Sequence, residues 1–134
     1  PDVEVNDGDV FTFGSTTVRA VSIPGHTEGA TCYFFPVTDG ANTYTAGLHG
    51  GAGTNTIQPS FRQEFGVDYR QSFLDSIEKV WNEKVDIFLG NHAHQNNLET
   101  KYAQMTAENN PFIDSAAWQA FLEKFRNRTL MFMD

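Results

Sequence analysis

Ile23-Pro24-Gly25-His26-Thr27-Glu28-Gly29 is the stretch on which the reading of this chain turns. A β-branched, apolar run from Thr17 ends there at a Pro-Gly corner, and a histidine comes next. Proline fixes its own φ, and glycine reaches conformations closed to other residues. A histidine just past such a corner has a defined direction, as a metal ligand or catalytic base requires. Two readings stand at this point: a ligand histidine, or a turn histidine with no role.

Working outward, the N-terminal side reads as a hairpin. Asn6-Asp7-Gly8-Asp9 is a turn cluster, Val10 to Phe13 alternates as a half-buried strand does, and Gly14-Ser15 is a two-residue loop. Thr17 to Ile23 is the returning strand. On the C-terminal side, Thr31 to Val37 is a strand whose continuous apolar run predicts burial on both faces, with Pro36 predicting an end near an edge. Asp39-Gly40 marks a turn into a paired strand over 42–45. Gly47 to Gly53 is expected to be a glycine-rich loop, suited either to close backbone approach or to mobility. It lacks the Lys-Ser/Thr pair of a phosphate-binding loop.

The stretch from Pro59 to Phe65 reads as irregular, and residues 67 to 83 take up helical period. Tyr69, Phe73, Ile77, Val80 and Trp81 share one face, with Arg70, Asp75, Glu78 and Lys79 largely elsewhere. A short buried strand over 86–89 runs straight into Gly90-Asn91-His92-Ala93-His94, so a second histidine cluster also follows a strand end. Leu98 to Thr106 suits a short helix, broken by Asn109-Asn110-Pro111. Asp114 is placed to cap a last helix with Trp118, Phe121, Leu122 and Phe125 as its apolar face and Arg126 and Arg128 in its last turn.

Bulk composition bounds the function. The chain has 134 residues, enough for one domain or part of a larger one, with no internal boundary or repeat. A net charge of −8 argues against non-specific binding to nucleic acids or anionic membranes, which select a basic surface. No apolar run approaches the ~20 residues of a membrane span. The lone Cys32 excludes an internal disulfide and is expected to point into the core. No signal peptide is visible, and the start at Pro1 is what removal of an upstream segment would leave. The compartment stays open.

The four histidines are His26, His49, His92 and His94. Neutral imidazole is a common zinc ligand, and zinc sites take three or four protein ligands. From the residues alone, a split histidine metal site and a set of structural histidines both remain open.

The wider pattern carries a resemblance. Pro24-Gly25-His26-Thr27, with Gly29 and Thr31, resembles the Pro-Gly-His-Thr-x-Gly motif of the metallo-β-lactamase superfamily. Asp68 to Phe73, Asp86 to His92 and Asn110-Pro111-Phe112-Ile113-Asp114 follow in order, and resemble the later helix, strand, final histidine and pre-helix segment of the subclass-three-like branch. The resemblance covers nearly the whole chain. It implies an α/β fold, the C-terminal half of an αββα sandwich, with a mixed or antiparallel sheet and two or three helices.

It also implies a site of two zinc ions in the intact domain, with His26 and His92 among the metal ligands. The implied activity is hydrolysis of a cyclic amide or ester in a small-molecule substrate by a metal-bound hydroxide. His49 and His94 fall where substrate contacts are expected. Gly47 and His49 stand where the branch carries serines, and Asn91-His92-Ala93 replaces Pro-His-Pro, which bears on β-lactam specificity more than on metal binding.

The family's His-x-His-x-Asp-His motif is absent from these residues. The fragment alone is therefore expected to be inactive and to pair with its missing half or with a second copy of itself. The alternative is a non-catalytic half-domain serving as an oligomeric structural or binding module.

Overall fold

In a computed structural model of the chain, residues 2–133 are described. The hairpin forms as its sequence predicts: β1 (Val10–Phe13) and β2 (Thr16–Ser22) pair antiparallel, with Phe13 opposite Thr16 across the Gly14-Ser15 loop. β3 (Thr31–Thr38) and β4 (Thr43–His49) continue the antiparallel run, and β5 (Ile87–Gly90) joins β4 in parallel. The result is one five-stranded mixed sheet in the order β1-β2-β3-β4-β5. Between β4 and β5 come a 3-10 turn (Asn55–Ile57), α1 (Pro59–Phe65) and α2 (Arg70–Val80). After β5 come α3 (Leu98–Gln104) and α4 (Ala117–Leu130).

The hydrophobic core lies on one face of the sheet. Val21, Cys32, Phe34 and Phe88 meet Phe73, Ile77 and Val80 of α2 and Trp118, Phe121, Leu122 and Phe125 of α4. Trp118 is at the centre: its indole N–H donates to the Val80 carbonyl at 2.9 Å, and Phe34 and Phe88 meet its ring edge-on. The helical faces read from period 3.6 are the ones buried. Cys32 is fully buried, and burial pushes its thiol up to about 12.

Several expectations change. β3 is buried on one face only: Cys32 and Phe34 are buried, while Tyr33 and Phe35 on the other side are half-covered. Its apolar run is continuous because the second face is apolar too. That face carries Phe11, Val18, Tyr33, Leu48 and Leu89, and among the described residues the core helices α2 and α4 pack on the other one. Pro36 sits within a central strand, at a point where β2 no longer pairs with β3, so β3 is locally an edge.

Gly47, Leu48 and His49 belong to β4 rather than to a loop. A Cβ at Gly47 would press on Val85 and Phe34, so small size there serves packing. Among the described residues there are four α-helices where two or three were expected; the extra one is α1, bounded by Pro59 at its first turn and by Gly66 in the left-handed conformation. Asp114 lies two residues too early to be the N-cap of α4: its carboxylate accepts from the Ala116 amide at 3.1 Å, and the N-cap residue is Ala116.

Candidate metal and substrate site

The ends of β2, β4 and β5 bring both histidine corners to one edge of the sheet. β4 and β5 run parallel, so His49 and Gly90 are paired and their following loops emerge side by side. Asn91 joins the two, its amide donating to the Gly50 carbonyl at 3.0 Å.

His26 is held from three directions. Gly25 has φ 147°, and a Cβ there would lie 2.8 Å from the Phe73 Cα, so only glycine lets the corner sit on α2. Two hydroxyls then pin the carbonyls ahead of the histidine. Ser76 Oγ donates to the Pro24 carbonyl and Thr56 Oγ1 to the Gly25 carbonyl, each at 2.7 Å. Finally, the loop after β4 closes over the ring: a Cβ at Gly51 or at Gly53 would come within 2.6 Å of the imidazole. The close backbone approach expected of this loop is therefore to His26 itself. The Gly53 carbonyl lies 2.9 Å from His26 Nδ1. A carbonyl only accepts, so Nδ1 carries the proton and Nε2 keeps its lone pair for a metal.

His49 takes a different place. It is 5 % exposed, packed against Trp118 and Phe121, and lies beneath the loop. Its Nδ1 accepts from the Gly51 amide at 3.4 Å, which ties the loop down. Burial, and secondarily the nearby His26, push its pKa down to about 4, so it is neutral at physiological pH.

His92 and His94 are exposed, with rings stacked at 5.6 Å and 20°. The loop that carries them is tied by the Gln95 side chain accepting from the His92 amide at 3.4 Å, by the Gln95 amide donating to the His92 carbonyl at 3.0 Å and by the Leu98 amide donating to the Ala93 carbonyl at 3.0 Å.

His26, His92 and His94 all line one cavity of about 240 Å³, together with Phe125 and Arg128 of α4. His49 does not line it. The donor set fits a partial zinc site: His26 and His92 reach the same cavity, and His26 has its ligand atom free. Among the described residues, however, no three or more His, Cys, Asp or Glu side chains gather to hold a metal. Sequence reasoning missed Thr56 and Ser76, which lie 31 and 52 residues from the carbonyls they pin and give no local signal.

Comparison with known proteins agrees with this architecture. The chain is similar to BJP-1, a subclass B3 metallo-β-lactamase of Bradyrhizobium japonicum, with 23% identity and a TM-score of 0.84 over 97% of this chain and 49% of that one. FEZ-1 metallo-β-lactamase from Legionella gormanii gives 28% identity and a TM-score of 0.82 over 95% of this chain and 49% of that one. A metallo-β-lactamase of Cronobacter sakazakii gives 27% identity and a TM-score of 0.83, over 97% and 51%. No family profile and no curated sequence matches the chain.

The fold is thus that of half a subclass B3 metallo-β-lactamase domain, consistent with the C-terminal half. The chain spans about half the length of the solved structures it matches. Among the described residues no helix is long and apolar enough to cross a membrane.

Proposed function

We propose that residues 1–134 act as the C-terminal half of a zinc-dependent hydrolase of the metallo-β-lactamase kind. The observation that carries this reading is His26: a clamped imidazole, its Nδ1 proton committed to Gly53 and Nε2 left with its lone pair, lines the cavity that His92 also lines. His26 and His92 would hold zinc, with the remaining ligands supplied from outside this chain. Zinc bound there supplies Lewis acidity and lowers the pKa of water.

The chain's own residues contribute the rest. Gly53 keeps the imidazole tautomer. Thr56, Ser76 and the buried His49 hold the corner and its covering loop. His94 borders the space for substrate, and His49 acts from below it. The substrate is a cyclic amide or ester of small size, in keeping with a cavity of about 240 Å³.

The second sheet face supports the idea of an absent half. Val3, Val5, Phe11, Phe13, Val18 and Tyr33 frame an apolar hollow of about 410 Å³, and Phe13 is 68% exposed. An apolar face of this kind marks an interaction surface. The partner is the other half of the sandwich; a second copy of the chain is the alternative, in a non-catalytic oligomeric module. A compact, stable monomer in a solution mass measurement would count against both.

The experiment that tests the enzyme reading is zinc analysis of the intact protein. His26→Ala and His92→Ala should each sharply lower zinc occupancy; unchanged metal content in either removes that residue from the site. This chain alone should hydrolyse a chromogenic β-lactam little or not at all. An upstream sequence without His-x-His-x-Asp-His would overturn the enzyme reading.

A further inference from the structure

His26 also borders a second, inner cavity of about 10 Å³, with Pro24, His49, Gly51, Phe73 and Ser76 among its walls. That is room for one water molecule and for nothing larger. His26 and Gly51 line both cavities, so the imidazole and the loop over it are shared between the outer space and the inner one.

The inner cavity brings together a donor and an acceptor with capacity left over. His49 is 5% exposed, and its Nδ1 accepts from the Gly51 amide. A neutral imidazole whose Nδ1 accepts carries its proton on Nε2. No protein acceptor for that proton stands among the described residues: aromatic rings of Trp118 and Phe121 pack against the imidazole. A buried N–H without an acceptor is costly. Yet no buried side-chain nitrogen or oxygen among the described residues is left without a partner, so Nε2 is not sealed in and opens onto free space. The inner cavity is space that His49 lines. On the same wall, the Ser76 hydroxyl has committed its hydrogen to the Pro24 carbonyl and keeps lone pairs able to accept. One donor and one acceptor facing a water-sized space meet the requirement for an internal water.

We propose that this cavity holds one internal water, which accepts from His49 Nε2–H and donates to Ser76 Oγ, and that His49 is thereby a positioning residue for the His26 ring. The two nitrogens of one buried ring then brace His26 from two sides. Nδ1 holds Gly51 of the covering loop, and Nε2 reaches through the water to Ser76, which pins the Pro24 carbonyl of the corner. The water site rests on packing and hydrogen bonding alone; its bearing on zinc rests on the hydrolase reading.

The test uses the full chain in its native assembly, isotope-labelled and free of metal, followed by NMR at neutral pH. Wild type should show His49 as the Nε2–H tautomer, with a cross-peak from that proton to a long-lived water. Ser76→Ala removes the acceptor and should weaken the cross-peak. Thr56→Val, which frees the Gly25 carbonyl instead, should leave it in place. His49→Phe keeps a ring in the site without its nitrogens, and the His26 Nδ1–H should then exchange with solvent about fivefold faster. His49→Gln restores an amide donor and should recover part of that protection, which filling space alone does not. An Nδ1–H tautomer, or a His49 proton that contacts the Phe121 ring and no water, overturns the water site. Unchanged His26 exchange in His49→Phe, or equal exchange in His49→Phe and His49→Gln, overturns the positioning role. The wild-type tautomer and cross-peak need no variant, so they decide the water site even where His49→Phe fails to fold, and His49→Gln against wild type then decides the positioning. Zinc does not enter any of these readouts, so failure of the hydrolase reading is seen separately.

Discussion

The two histidine corners solve the same geometric problem in opposite ways. At His26 the corner is pre-built: a glycine seated on Phe73, two hydroxyls on two carbonyls, and a glycine loop closed over the ring. At His92 the histidine stands exposed on a turn, beside a stacked His94, and the turn is tied by Gln95 to both the His92 amide and its carbonyl, by Leu98 to the Ala93 carbonyl and by Asn91 to Gly50. The difference follows from position. His26 leaves a strand that packs under α2, so core residues reach its backbone. His92 leaves the short strand at the sheet's edge, and its side chain is exposed. The His26 corner is thus fixed by contacts from other elements, and the His92 turn mainly by bonds within itself.

The contrast can be tested by breaking each side. The largest effect should come from the buried histidine under the rigid corner. His49 stays neutral down to about pH 4 in the folded chain but titrates near 6.5 when unfolded. Its folded pKa is depressed, so its stabilising contribution is present above pH 6.5 and is lost as pH falls toward 4. Over that window the loss is about 3 kcal/mol. Denaturant melts of wild type and His49→Asn across this range should differ in slope, the variant falling less steeply; parallel curves would exclude His49 as the source.

Next comes Gly25→Ala. The added Cβ meets Phe73 backbone at a φ closed to alanine, and about 2–3 kcal/mol of stability should be lost in the same melts. Thr56→Val leaves the Gly25 carbonyl without its donor in a buried setting and should cost about 2 kcal/mol. It should also loosen the His26 ring, visible as broadened imidazole resonances. Asn91→Ala, on the exposed side, should cost under about 1 kcal/mol. If Asn91→Ala proved as damaging as Thr56→Val, the two corners would be equally built and the contrast would fail.

Much of this was legible in the chain itself. The hairpin, β3, the α2 face of Phe73, Ile77 and Val80, and the α4 face of Trp118, Phe121, Leu122 and Phe125 all follow from local period and turn residues. The α1 helix was legible in principle, since Pro59 and Gly66 bracket it, but seven residues with no buried side chain give no amphipathic period to read. The extent of β4 was hidden because Gly47 and Gly50 look like loop residues, while the real constraint at Gly47 is the Val85 side chain against it.

The Pro-Gly-His corner, its direction and its kinship to a family motif were set by sequence alone, because proline and glycine impose their geometry within two or three residues. What tertiary structure decided is what surrounds that corner. Thr56 and Ser76 reach it from other elements, His49 turns inward against Trp118 and Phe121, and Arg128 turns out to line the cavity rather than merely to suit a helix end. Those relations depend on which strand ends and helix ends the fold brings together across dozens of residues, and no local pattern in the chain encodes such distances.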